Sequence, residues 1–163
     1  MRFSVATAAI ALNLLVGSVS QAWSGSIDEM RVVASDGKWE LRVGKDKFSD
    51  EKNCVIIVKN SHRIQVSLGR LFVIYRDRGG IQSYKIRLDD DAPSDLKLAS
   101  AIERKTGYAQ FAGGVFNRIL MANRLRIQAL TIRSGVVVDD VDLSGMAVLY
   151  KRMQSLCGSN GAP

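Results

Sequence analysis

The sequence predicts a mainly β domain, a β-sandwich or curved antiparallel sheet, with a C-terminal amphipathic helix and one short internal helix. Three observations carry this. Short segments from Trp39 onward alternate apolar with polar side chains, the period of half-buried strands. Turn residues (glycine, asparagine, aspartate) punctuate them at close intervals. The last apolar set, Met146 to Cys157, changes to helical spacing.

The elements follow in order. Trp23 to Asp36 is mixed and polar, and Ser35-Asp36-Gly37-Lys38 reads as a turn. Trp39-Glu40-Leu41-Arg42-Val43 alternates as a strand, and Gly44 to Asn53 is charged and loop-like. Cys54 to Val58 is a β-branched run suited to a central strand. Ile64, Val66 and Leu68 point one way in the next strand, and Leu71 to Tyr75 forms another. Asp77-Arg78-Gly79-Gly80 has the composition of a hairpin loop. Tyr84, Ile86 and Leu88 then line one face of a strand whose other face carries Lys85 and Arg87. The spacing argues for an antiparallel meander. Asp95 to Phe111 fits helix or irregular strand. Val115 to Ala122 reads as a short helix with Val115, Ile119 and Ala122 on one face. Leu125 to Ile132 is a long strand, turned at Ser134-Gly135 into Val136-Val137-Val138. Ser144 is the expected N-cap of the final helix, with Met146, Leu149, Tyr150, Met153, Leu156 and Cys157 inward.

Residues 1–22 read as a secretory signal peptide: a positive start at Arg2, an apolar run from Val5 to Val16, and Ser20-Gln21-Ala22 before the cut. The expected layout is then an N-terminal extension at 23–38, one β-rich domain at 39–158 and a loose tail at 159–163. The apolar run is short for a bilayer span, so the mature chain is expected without a transmembrane segment. The formal charge of +7 arises from 23 Lys and Arg against 16 Asp and Glu. Such a balance suits solubility or attraction to anionic surfaces. The two cysteines, Cys54 and Cys157, lack metal or redox spacing and read as a structural disulfide in an oxidising compartment.

The chemistry-bearing residues are sparse. His62, the one histidine, lies in a turn after a strand and reads as a solvated residue rather than a catalytic base. Asp89, Asp90, Asp91 and Asp95 have the composition of a calcium site without the spacing of a calcium loop, and read as an acidic turn. Asp139, Asp140 and Asp142 read as strand-end polarity. Gly113-Gly114 precedes a helix but lacks the remainder of a phosphate loop. No catalytic residue, metal or cofactor is expected. Arg63, Lys85, Arg87, Arg124 and Arg126 fall on outward strand positions, and neighbouring strands would gather them into a basic face for an anionic partner. Nucleic acid is not the expected partner, because exposed aromatics do not interleave with the cations.

The order of features carries a family resemblance. Trp39 opens a strand, Phe48-Ser49-Asp50-Glu51-Lys52-Asn53 precedes Cys54, and a late basic strand leads to Asp142-Leu143-Ser144-Gly145 and a helix ending in Cys157. Over roughly residues 39–157 this resembles the exported β-rich proteins of alphaproteobacteria, with the invasion-associated locus B family as the named example. The sequence departs from that family at Val43-Gly44, where members often carry a further cysteine. The resemblance implies a periplasmic or surface domain, linked in some bacteria to host-cell entry, with no catalytic residues to carry over. The expected function is therefore an exported, non-enzymatic binding or envelope-associated protein, its partner an envelope or host protein or an anionic surface. The alternatives are a secreted hydrolase or enzyme inhibitor, and a structural subunit of an envelope assembly.

Overall fold

The computed structural model describes residues 27–158. The signal-peptide reading, the start of the N-terminal extension and the tail at 159–163 lie outside the described residues.

Two antiparallel sheets account for most of the domain. The first contains β1 (Arg31–Asp36), β2 (Trp39–Lys45), β3 (Lys52–Val58), β4 (Ser61–Ser67), β5 (Arg70–Ile74) and β8 (Tyr108–Ala112), in the order β1-β2-β3-β4-β5-β8. The second contains β6 (Ile81–Leu88), the two-residue β7 (Lys97–Leu98), β9 (Arg124–Thr131) and β10 (Gly135–Asp142), in the order β10-β9-β6-β7. Among the described residues three α-helices complete it: α1 (Ala101–Thr106), α2 (Gly113–Met121) and α3 (Met146–Cys157). The expected fold class is the observed one.

The meander holds from β1 to β5 and then breaks. Asp77 to Gly80 is not a hairpin loop: it carries the chain out of the first sheet into the second. A single turn of 3-10 helix at Arg76–Arg78 ends on Gly79 and Gly80, both left-handed (φ 79° and 99°), a conformation glycine adopts without a Cβ penalty. The place beside β5 goes instead to β8, which pairs with it from Ile74↔Tyr108 to Arg70↔Ala112.

Alternation chooses the faces. Trp39 and Leu41 of β2, Ile56 of β3, Val66 of β4 and Leu71 and Val73 of β5 turn inward and are fully or almost fully buried. They meet Tyr84, Leu88, Leu125, Ile127 and Ala129 from the second sheet in one core. Leu68 is exposed, because it has left β4 for the turn. On the outer face of the first sheet, Val55 and Ile57 are covered by Met30 and Ile27 from the segment ahead of β1. That segment and β1 therefore belong to the domain.

α3 closes the core over β1–β3. Met146, Leu149, Tyr150, Met153 and Cys157 are buried as the spacing predicts, while Leu156 sits at the solvent edge. Its N-cap is Gly145, at φ 87°, and not Ser144, whose N–H is taken by the Asp142 carboxylate. The Cys54–Cys157 disulfide bonds the helix end to β3. The Tyr150 hydroxyl accepts from the Gly69 N–H at 2.9 Å, and the Trp39 indole donates to the Asp142 carbonyl at 3.1 Å. α2 begins at Gly113, earlier than expected, and buries Phe116 and Ile119 while Val115 faces outward.

Candidate functional site

The outer face of the second sheet has no element packed over it among the described residues. Directly paired residues of antiparallel strands project to the same side. One lateral row on this face therefore runs Val136 (β10), Leu130 (β9), Ser83 (β6) and Leu98 (β7). The next is Val138, Gln128 and Lys85; the one after it is Asp140, Arg126 and Arg87. The face thus grades from apolar at the β9–β10 hairpin to charged at the opposite end. Its apolar side chains are open to solvent: Val136 is 61% exposed, Val138 65%, Leu98 74% and Ile132 at the hairpin tip 64%, whereas Leu130 is 38% exposed and Ser83 between it and Leu98 is buried.

The five cations expected to form a basic face separate into paired and unpaired groups. Arg126 and Arg87 are register partners, and Lys85 lies on the same side, so these three do share a face. Arg124 donates to both Asp140 oxygens, through Nε at 2.6 Å and through Nη2. The hydrogen bond from Arg124 holds the Asp140 carboxyl below its usual range, with Arg126 adding to it. Arg87 approaches Asp90 at 3.5 Å. Asp142, beside them, is lowered by the Ser144 hydroxyl and N–H. Lys38, Asn123, Arg124, Asp140, Asp142 and Ser144 line an open cleft of about 480 Å³ there. The charged end is thus a lattice of opposite charges rather than an uncompensated basic patch.

Arg63 is not part of this face. The β3–β4 pairing shifts register between Ile57 and Val58, and Arg63 reaches across to Asp139 of β10 at 3.1 Å. Its guanidinium stands 5.7 Å from the Tyr75 ring centroid. Asp139 points inward from an edge strand, and only 14% of its side chain is exposed. An inward charge in an edge strand disfavours pairing with a second strand. The Tyr75 hydroxyl is buried beside Asp139, and burial, then the neighbouring Asp139 carboxylate, pushes its pKa up.

Asp89, Asp91 and His62 have structural partners. The Asp89 carboxylate accepts the Asn123 and Arg124 N–H groups, both at 2.9 Å, which steadies its own left-handed backbone (φ 44°). Asp91 pairs with Arg118 at 3.0 Å. Among the described residues no three His, Cys, Asp or Glu side chains group as metal ligands. His62 lies 3.2 Å from Asp28, which Arg42 also approaches at 3.7 Å, so this pair helps hold the segment that covers Val55 and Ile57. Both thiols are in the disulfide and give His62 no nucleophile to activate.

A second basic cluster was not apparent in the sequence. Arg76 and Arg78 of the 3-10 turn, Arg104 and Lys105 of α1, and Arg133 of the β9–β10 tip collect at the hairpin end. The Arg133 N–H donates to the Arg78 carbonyl at 3.0 Å, and Arg76 Nε donates to the Thr106 carbonyl at 2.7 Å. A Cβ on Gly80 would lie 3.8 Å from both the Arg104 carbonyl and Ile132 Cδ1, so α1 and the tip are neighbours. None of the five makes an ion pair among the described residues. The signal available in the sequence was the density of arginine next to turn glycines, Arg76-Asp77-Arg78-Gly79-Gly80 and Arg133-Ser134-Gly135.

Glu103, also unanticipated, is the most enclosed carboxylate. It receives the Tyr84 hydroxyl at 2.6 Å, the Ser100 N–H at 2.8 Å and the Gln110 N–H at 3.1 Å. Burial works to raise its pKa, but these donors together outweigh it and hold the carboxyl near about 2. With Ser100 it forms a capping box at the start of α1. Lys97 Nζ touches the Tyr84 hydroxyl at 2.5 Å and lies 5.0 Å from the ring centroid. The cluster fixes α1 against β6 and β8. No described helix is long and apolar enough to cross a membrane. Comparison with protein-family models, curated proteins and solved structures finds no match to the chain.

Proposed function

We propose that the protein is an exported, non-enzymatic binding protein of the cell envelope or cell surface, and that it recognises its partner through the outer face of the second sheet. The observation that carries this reading is the exposed row Val136–Leu130–Leu98, with cations at both ends of the sheet. An apolar face of this kind on a water-exposed sheet is the usual mark of an interaction surface. The Cys54–Cys157 bond supports an oxidising destination, and the signal-like residues 1–22 support export. Kinship with the invasion-associated locus B family, and a part in host-cell entry, belong to the same proposal and rest on the order of features from Trp39 to Cys157.

The same apolar row favours a second reading, a structural subunit of an envelope assembly, whose neighbour would cover the face permanently. Capture by the oxidised mature chain from envelope extract and from host-cell membranes, at low and moderate salt, tests both. A specific partner retained at moderate salt and lost in Val136→Asp supports recognition through this face. A stoichiometric complex purified directly from the envelope supports the subunit reading. Capture unaffected by Val136→Asp, or none at all, refutes the use of this face.

A further inference from the structure

We propose that the β9–β10 hairpin end of the second sheet docks on an anionic lipid membrane. Ile132 and Val136 would enter the headgroup boundary, while Arg76, Arg78, Arg104, Lys105 and Arg133 meet lipid phosphates. The inference rests on the reading of the protein as an envelope-associated binding protein, and it names the partner.

Charge complementarity selects the occupant. At the opposite end of the sheet Arg87, Arg124 and Arg126 each face a carboxylate of the same chain. At the hairpin end five cations gather with Asp77 as the one acidic residue of the 3-10 turn, and they have no ion-pair partner among the described residues. Other described cations, among them Lys85, Lys151 and Arg152, also make no ion pair, but the hairpin end brings five together from three elements, and a surface dense in phosphate neutralises such a cluster best. Apolar exposure selects a membrane over a soluble polyanion. A polysaccharide would use the cations alone, whereas Ile132 and Val136 project from the same tip at 64% and 61% exposure. Shallow burial of such side chains beside cations is how peripheral proteins hold an anionic bilayer. The tip is presented rigidly: Arg133 is bonded to Arg78 at 3.0 Å, and a side chain on Gly79 would meet Arg133 and Ile132 within 3.4 Å.

The test is co-sedimentation of the oxidised mature chain with vesicles of roughly one part phosphatidylglycerol to two parts phosphatidylcholine, and with phosphatidylcholine alone, at about 0.05 and 0.3 M salt. Arg78→Glu/Arg133→Glu is expected to weaken binding to the anionic vesicles at least about tenfold. Lys151→Glu/Arg152→Glu on the exposed side of α3 makes the same change in net charge and is expected to leave binding within about twofold. Ile132→Ser is expected to remove most of the binding that survives the higher salt. Near-ultraviolet circular dichroism checks that each variant is folded. Three results would overturn the proposal: no pelleting with anionic vesicles, equal losses in the two charge-reversed variants, or heparin binding that matches vesicle binding and ignores Ile132→Ser. Envelope capture that persists without vesicle binding sinks this inference alone; loss of both sinks the broader reading as well.

Discussion

Glu103 gives the sharpest stability prediction, because a single carboxylate satisfies three hydroxyl and N–H donors from three elements and also pairs with Lys97 at 3.5 Å. Only 5% of its side chain is exposed. In Glu103→Ala the Tyr84 hydroxyl and the Ser100 and Gln110 N–H groups lose their acceptor together. A stranded buried donor costs about 1–3 kcal/mol, and Lys97 beside Tyr84 offers no acceptor in exchange. Allowing for water reaching the outermost of the three, the expected loss is about 3–5 kcal/mol. Glu103→Gln keeps an acceptor oxygen but, like the protonated acid, carries no charge, and is expected to cost about 3 kcal/mol at neutral pH. The pH dependence has a fixed sign. The folded pKa, about 2, lies below the ordinary value of 4.5, so the folded state binds this proton more weakly than the unfolded chain. The contribution is complete above about pH 5 and is lost as pH falls from 4.5 toward 2; it amounts to ~3 kcal/mol. Urea denaturation of the wild type and Glu103→Gln across this range would show the wild type losing stability more steeply, the two curves converging at the acid end. Parallel curves, or a Glu103→Ala loss below about 1 kcal/mol, would refute the reasoning.

Other perturbations probe other links. Cys54→Ala/Cys157→Ala releases a crosslink spanning 103 residues and is expected to cost about 4–5 kcal/mol, with a fall in Tm of about 10–15 °C by calorimetry. Gly145→Ala places a Cβ 2.8 Å from Asp36 Cγ at φ +87°, so a loss of about 2 kcal/mol in chemical denaturation is expected. A double-mutant cycle of Arg63→Met and Asp139→Leu is expected to return a coupling of about 1–2 kcal/mol, with each single change worse than its share of the double.

The sequence was legible where burial and periodicity agree. β2 reads directly because Trp39 and Leu41 are inward and Glu40 and Arg42 outward, and α3 reads from its apolar stripe. β1 did not read because it is an edge strand with a register shift between Val32 and Ala34, and neither face is fully buried. Asp77 to Gly80 has hairpin composition, but composition does not say which strand fills the place beside β5; the later β8 does. α1 carried a readable signal, Ser100 followed three residues on by Glu103, within a stretch whose two-residue strand β7 masked it.

The candidate surface was half legible for the same reason. Alternation placed Lys85, Arg87 and Arg126 outward and together, since it fixes a face within a strand and register then aligns neighbours. It could not show that Asp140 and Asp90 compensate the arginines, or that a register shift turns Arg63 toward Asp139. The five clustered cations come from a 3-10 turn, a short helix and a hairpin tip, and the crossing between the sheets brings those three together.

The central claim, recognition through the outer face and hairpin end of the second sheet, is tested most directly by amide hydrogen exchange of the oxidised mature chain, free and bound to envelope membranes. The account predicts added protection confined to the hairpin and its neighbours, Leu130 to Val138 and Arg76 to Gly80, with β1–β3 and α3 unchanged. Protection centred on the cleft beside Arg124, on the outer face of the first sheet, or nowhere would contradict it.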